Sequence, residues 1–180
     1  MELPKFKYHL NPTKSGSITE SDAECECCGE ARGFIYTGPV YAEEELDDCI
    51  CPWCITSGAA HKEFDAEFTD IDGIGGRGIW DDVPDSTKEE VAFRTPGFAG
   101  WQQERWWTHC GDAGVFLGIA GKGDIEQYGN LLIDNLKKES GYSDTQWKPY
   151  FDALSKDGSP TAYIFKCRHC GEIGGYSDCD

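Results

Sequence analysis

The chain has 180 residues, 39% hydrophobic and 13% aromatic, with 6 Trp, which argues against a disordered chain and suits one ordinary domain or two small lobes. Its formal charge of -17 is uneven, with 21 acids against 7 Lys/Arg over residues 1–90 and 12 against 9 over 91–180. This balance argues against nucleic-acid and anionic-membrane partners, which need clustered Lys/Arg, and makes a basic protein the natural complement; an acidic surface also serves solubility alone.

Residues 1–20 read as an N-terminal arm, expected to fray and lacking the apolar stretch of a signal peptide. No apolar run reaches bilayer length. The expected compartment is therefore the cytoplasm, where ten cysteines gathered in C-x-x-C pairs favour metal over disulfides.

Residues 21–72 predict a zinc-ribbon-like lobe: a first Cys knuckle, a strand around Gly33–Thr37, an acidic turn at Glu43–Asp48, a second knuckle, and a helix after Pro52. Residues 73–99 read as a connector with a short helix, whose start is suggested by the capping-box spacing of Ser86 and Glu89 and whose end is set by Pro96 and Gly97. Residues 100–180 predict a mixed α/β lobe. Trp101, Trp106, Trp107 and Phe116 suggest strands around a turn at Gly111–Gly114. One helix is expected from a capping pair at Asp124 and Gln127, along Ile125, Tyr128, Leu132 and Leu136, to a stop at Gly141. A second carries Trp147, Tyr150, Phe151 and Leu154, and Pro149 places its start near Gln146. The last strand, Thr161–Phe165, leads into a closing Cys knuckle.

Zinc prefers tetrahedral thiolate and imidazole ligands, and a two-residue gap lets both cysteines of a tight turn reach one ion. Cys25-x-x-Cys28 and Cys51-x-x-Cys54, 22 residues apart, therefore make a complete candidate cage, with Gly29 supplying the flexible backbone a knuckle uses. Cys27 and Cys49 are second choices there. Cys167 and Cys170 form half of a second candidate site, with His109 and Cys110 as the most suitable remaining donors and His169 and Cys179 as alternates. His109 and Cys110 are adjacent, which is awkward at one metal.

Catalytic patterns fail in turn. His61-x-Glu63 lacks the downstream P-C-x-x-C of zinc deaminases. Gly73-x-Gly75-x-x-Gly78 matches a dinucleotide fingerprint in letters only, because no buried strand precedes it and no helix can follow. Asp70-Ile71-Asp72-Gly73 lacks the further carboxylates of a calcium loop. Cys51-Pro52-Trp53-Cys54 spells a redox dithiol, yet the acids at Glu44–Asp48 would raise its thiol pKa and oppose that use.

The segments CECCGEARGFIYTGPVYAEEE, CPWC followed by FDAEFTD, RTPGFAGWQQERWWTHCGDAGVFLG and AYIFKCRHCG resemble the CbrC-like family, small bacterial proteins named for tolerance to a DNase-type colicin. The resemblance covers nearly the whole chain. It implies a cytoplasmic, zinc-associated protein tied to toxin tolerance or immunity, of a family with no catalytic activity assigned. The matching positions are Cys25/Cys28, Cys51/Cys54, the aromatic block ending at His109-Cys110, and Cys167/Cys170. The family pattern has a further Cys just after Cys110, where this chain has Ala113 and Gly114.

The expected fold is α+β, a zinc-ribbon-like N-terminal lobe packed on a mixed α/β C-terminal lobe. The expected function is non-enzymatic binding of a basic toxin or nuclease domain with Zn2+ as cofactor. The alternative is a zinc-dependent or thiol-redox enzyme acting on a small substrate, for which a concave pocket with perturbed ionisable groups is required. A binder requires the acids of Glu43–Asp48 and Glu63–Asp72 to be exposed and contiguous.

Overall fold

In the computed structural model, which describes residues 2–76 and 78–180, the chain is mixed α and β. A short antiparallel pair, β1 (Ile18–Glu20) and β2 (Phe34–Tyr36), opens it. Then come helices α1 (Pro52–Ser57) and α2 (Ala59–Phe64), a single 3-10 turn at Ile71–Gly73, and helix α3 (Asp85–Arg94). The hairpin β3 (Thr108–His109) and β4 (Asp112–Ala113) precedes β5 (Val115–Ala120). Helices α4 (Lys122–Tyr128), α5 (Asn130–Ser140) and α6 (Asp144–Ala153) separate β5 from β6 (Thr161–Lys166) and β7 (Ile173–Asp178). Strands β5, β6 and β7 form an antiparallel sheet in that order, with a register shift between Phe116 and Gly118.

Three apolar cores follow from this order. The first surrounds the Cys25–Cys54 region, where Ile18, Ile35, Ile50, Ile55 and Phe68 are buried. A central aromatic core joins the first lobe to the sheet: Phe98 stacks on Phe116 with centroids 4.0 Å apart, and Trp106 lies fully buried beside them. Such ring contacts add to the area each ring buries. The third core packs Ile125, Leu132, Leu136, Trp147 and Leu154 against Ala162 and Ile164 of β6. Gly97 lets the chain pass against the first lobe, since a Cβ there would lie 1.9 Å from the Phe68 carbonyl.

Several local expectations shift. The single helix expected over 124–140 is two, because Gly129 (φ 89°) interrupts it, and Tyr128 is exposed instead of facing the core. Asp124 is not the helix cap: it sits in the first turn and its carboxylate accepts the Gly121 N–H at 3.0 Å. Helix α6 starts at Asp144 with Pro149 inside it. The Ser143–Gln146 capping box and the burial of Trp147 outweigh the one backbone bond that proline removes. Helix α3 begins at Asp85 after Pro84, so Ser86 lies within its first turn. The arm is ordered, not frayed, through Tyr8 and His9: Phe116 N–H donates to Tyr8 O, and His9 bridges Pro96 O and Ser15 Oγ, each at 2.8 Å.

Candidate metal centres and acidic groove

The first cysteine turn follows β1. Gly29 (φ 68°) closes it by donating to the Cys25 carbonyl at 2.7 Å, and Cys25 N–H donates to Glu30 O at 3.1 Å. The left-handed region costs glycine little, and so a tight knuckle ends on it. The second turn is the start of α1: Cys51 caps the helix, Pro52 occupies the first position where no N–H is needed, and Cys54 N–H donates to Cys51 O at 3.0 Å. Glu26 N–H to Cys49 O, 2.9 Å, ties the two turns together.

This places Sγ of Cys25 3.8 Å from Cys54 and Sγ of Cys28 3.9 Å from Cys51, with all four sulfurs within 4.8 Å of one another. Four thiolates at about 2.3 Å from one tetrahedral ion would lie about 3.8 Å apart. Cys25, Cys51 and Cys54 are buried while Cys28 is exposed. The Cys51 thiol and backbone hydrogen bonds hold the Cys25 thiol down at about 4 against the opposing effect of burial. Proximity to Cys25 together with burial pushes Cys51 up, and burial with Cys27 pushes Cys54 up. One anion thus suppresses its neighbours, and a divalent cation is the charge that lets all four ionise. Cys27 and Cys49 stand outside the set, and burial raises both.

The second group is built from two hairpins. Between β3 and β4 the register pairs His109 with Asp112, leaving Cys110 and Gly111 as a two-residue turn with φ of 56° and 68°, the pattern of a type I′ turn. The left-handed Cys110 removes the usual alternation of neighbouring side chains, and that resolves the awkward adjacency: His109 Nδ1 lies 3.3 Å from Cys110 Sγ and 3.4 Å from Cys170 Sγ. Between β6 and β7 a knuckle repeats the first one, with Gly171 (φ 80°) donating to Cys167 O at 3.2 Å and Cys167 N–H to Glu172 O at 2.8 Å. His109, Cys110, Cys167 and Cys170 all offer ligand atoms within 4.8 Å of one another, and an imidazole nitrogen and a thiolate on one tetrahedral ion would be about 3.6 Å apart. Burial opposes ionisation of Cys167, but the Cys170 and His169 amides and His109 overcome it and bring the thiol to about 6. Cys170 and burial push Cys110 up to about 11.

Both expected sets are therefore brought together, and each can hold a metal ion. Of the alternates, His169 turns Nε2 to Asp112 at 3.0 Å, and Cys179 lies outside either set. Sequence reasoning missed the residues that hold the second set in place. Asp112 receives Tyr8 OH at 2.5 Å and Arg168 at 2.9 Å as well as His169; burial raises its pKa, and the bonds from Tyr8, His169 and the Ala113 amide, with the charge of Lys7, more than reverse that. Glu172 faces His109 Nε2 at 3.5 Å, and Trp107 stacks on the same ring with an interplanar angle of 4°. The position of Glu172 directly after the knuckle was the signal available for it; nothing local points to Tyr8.

The letters that failed as catalytic motifs have structural roles. His61 stacks on Phe93 at 3.6 Å and lies 3.2 Å from Ala66 O. Gly75 N–H donates to Trp106 O at 3.0 Å beside the parallel bridge from Ile74 to Trp106.

An acidic groove of about 730 Å³ lies on the first lobe. Tyr41 and Glu67 exchange backbone hydrogen bonds at 2.8 and 2.9 Å, which brings Glu43 and Glu44 to the same concavity as Glu63, Asp65, Glu67 and Asp70; Lys62 and His61 are its cationic or titratable members.

The family model described as an uncharacterised protein family, UPF0167, matches residues 3–179. The chain belongs to UPF0167. UPF0167 proteins of Mycobacterium bovis and Mycobacterium tuberculosis are each 44% identical over 185 residues, covering 98% of this chain and 94% of the relative. A UPF0167 protein of Pseudomonas aeruginosa is 40% identical over 171 residues, covering 94% of this chain and 93% of the relative. No solved structure matches the chain. Within this UPF0167 chain, no helix among the described residues is long and apolar enough to cross a membrane.

Proposed function

We propose that this chain is a non-enzymatic zinc protein of the cytoplasm whose acidic groove captures a basic protein, with a toxin's nuclease domain as the partner and tolerance of that toxin as the outcome. The observation that carries the reading is the Tyr41–Glu67 pairing, which joins two acidic runs far apart in sequence into one groove. Donor sets of four thiolates, or of three thiolates and an imidazole, are those of structural zinc, with no open position for substrate, so the ions serve to fold and hold the lobes. A tetrathiolate zinc is itself dianionic and deepens the field beside the groove. A redox dithiol is the weaker reading, because its leading thiol must be accessible and acidic, whereas Cys51 is 0% exposed and pushed up. The toxin class rests on the resemblance of the motifs to CbrC-like proteins.

The test is association kinetics of the zinc-loaded chain with a basic nuclease domain, beside survival of cells expressing that toxin. Glu43, Glu44 and Glu63 are exposed, so the triple charge reversal Glu43→Lys, Glu44→Lys, Glu63→Lys should leave the melt unchanged. Asp70 is spared because its carboxylate caps the 3-10 turn through Asp72 N–H at 3.0 Å. The expected result is association slowed roughly tenfold or more at low salt, converging with wild type at high salt. Unaltered association and undiminished protection would leave the groove a solubilising surface.

A further inference from the structure

The two cysteine sets differ in which of their sulfurs water can reach. In the first, Cys25, Cys51 and Cys54 are buried and Cys28 is exposed. Cys51, 3.9 Å from Cys28, caps α1 and gives its N–H to Cys25 Sγ at 3.2 Å. Drawing Cys28 and Cys51 together would pull the start of a helix out of a packed core.

The second set has two exposed thiols, Cys110 and Cys170. Each sits on a turn, Cys110 beside exposed Gly111 and Cys170 between exposed His169 and Gly171. Nδ1 of His109 is 3.3 Å from one sulfur and 3.4 Å from the other, and the ligand atoms of the set all fall within 4.8 Å of one another. Side-chain rotation on two turns can close such a gap to the ~2 Å of a disulfide bond. Cys167, the third thiol, is buried, with its sulfur 3.7 Å from His109 O and 3.4 Å from the His169 amide. The face that the set turns to water is therefore a pair of neighbouring thiols.

A cysteine that ligates zinc does so as a thiolate, and the thiolate is the form that attacks peroxides. We propose that Cys110 and Cys170 are an oxidation site, at which a hydroperoxide joins the two sulfurs as a disulfide and the second set gives up its ion. This rests on the zinc reading of the sets and not on the toxin reading. With hydrogen peroxide as oxidant, one thiolate attacks a peroxide oxygen; the O–O bond breaks, hydroxide leaves, and the sulfur becomes a sulfenic acid. The other thiolate then attacks that sulfur, the S–S bond forms, and a second hydroxide leaves. Each sulfur gives up one electron and the peroxide takes both. Cys167 and His109 are then the only donors left in the set, too few for a tetrahedral ion, which passes to water. The neighbouring thiol traps the sulfenic acid before it can climb to irreversible sulfinic acid. The disulfide ties the β3–β4 turn to the β6–β7 knuckle as the ion did, so metal is lost without opening the fold.

The test adds hydrogen peroxide in small stoichiometric steps to the zinc-loaded full chain. A chromophoric indicator reads released metal, and mass spectrometry of alkylated, non-reduced digests reads the disulfides. The expected result is release of about one zinc per chain roughly tenfold or more faster than the other, in step with a Cys110–Cys170 linkage and with Cys25, Cys51 and Cys54 still free thiols. Dithiothreitol followed by zinc should restore the ion. In Cys110→Ser, Cys170 lacks its exposed partner and should go on to sulfinic acid that dithiothreitol does not reverse. A first linkage within Cys25, Cys28, Cys51 and Cys54, equal release from the two sets, or zinc lost without a Cys110–Cys170 linkage would overturn the proposal. Should the second set take up no zinc, the linkage map on the wild-type chain still decides, because Cys110 and Cys170 should be joined ahead of every other pair.

Discussion

Glu172 sets a carboxylate oxygen 3.5 Å from Nε2 of His109, while Nδ1 of the same ring faces the sulfurs of Cys110 and Cys170. A carboxylate on one nitrogen fixes the tautomer and directs the lone pair of the other toward a metal. Replacing Glu172 with Ala should lower metal affinity of the second set about 10- to 100-fold and leave the first set intact. Competition against a chromophoric chelator, resolved into two phases, measures both. A loss shared equally by the two phases would mean that Glu172 acts on folding and not on the imidazole.

The cysteine sets should differ in what they support. Cys51 is 0% exposed in the first core, whereas Cys170 is exposed at the rim of the second set. Cys51→Ser should remove about one zinc per chain and unfold the first lobe, since binding energy at such a site is largely folding energy. Cys170→Ser should also remove about one zinc but leave the first lobe folded. Metal analysis and thermal melts of each variant check this, and full metal content in either would remove that residue from the ligand set.

How much of this was open to sequence follows from distance along the chain. Cys25 and Cys28, or Cys167 and Cys170, meet through a single turn, so their spacing carries the geometry by itself. His109 beside Cys110 looks incompatible on an extended strand; only the left-handed turn at Cys110 makes the pair converge. The break at Gly129 escaped because Ile125, Leu132 and Leu136 keep helical spacing across it. Tyr8 and Asp112 are 104 positions apart, and no local pattern announces a bond that tertiary packing creates.

That bond gives a third prediction. Tyr8→Phe keeps the ring in the aromatic core but removes the hydroxyl donated to Asp112. Losing one partner of a buried carboxylate costs about 1 to 3 kcal/mol. The unfolding free energy read from urea titration should fall by that amount, and the second metal phase should weaken with it, because Asp112 also holds Arg168 and His169 of the knuckle. A lower stability with unchanged metal affinity would confine Tyr8 to packing.

His9 supplies a pH signature. Burial depresses it to about 4 from an ordinary 6.5, partly opposed by its hydrogen bond to Pro96 O. The unfolded chain therefore takes up a proton between about pH 6.5 and 4 that the folded chain refuses, and stability falls with pH across that window. The full effect is about 3 kcal/mol, and about 1 kcal/mol of it is reached by pH 5.5. Because His9→Gln shares every other titration, the stability gap between wild type and variant should narrow by about 1 kcal/mol from pH 7.5 to pH 5.5. A gap that stays constant would mean that His9 protonates in place.

The separations between ligands give the two metal sets different mechanical meanings. Cys25 and Cys54 are 29 positions apart, and that ring encloses little beyond its own turns and β2. His109 and Cys170 are 61 positions apart, and their ring encloses β5, all three C-terminal helices and β6. A cross-link of either length removes about 4 kcal/mol of unfolded-chain freedom, but only the longer one girdles a whole substructure. An ion in the second set would then be a buckle on a belt: with it fastened, α4, α5 and α6 can fray only as a tethered loop, and with it undone they are held by side-chain packing on the sheet and by polar contacts such as Arg105–Glu139 and Asn135–Glu172.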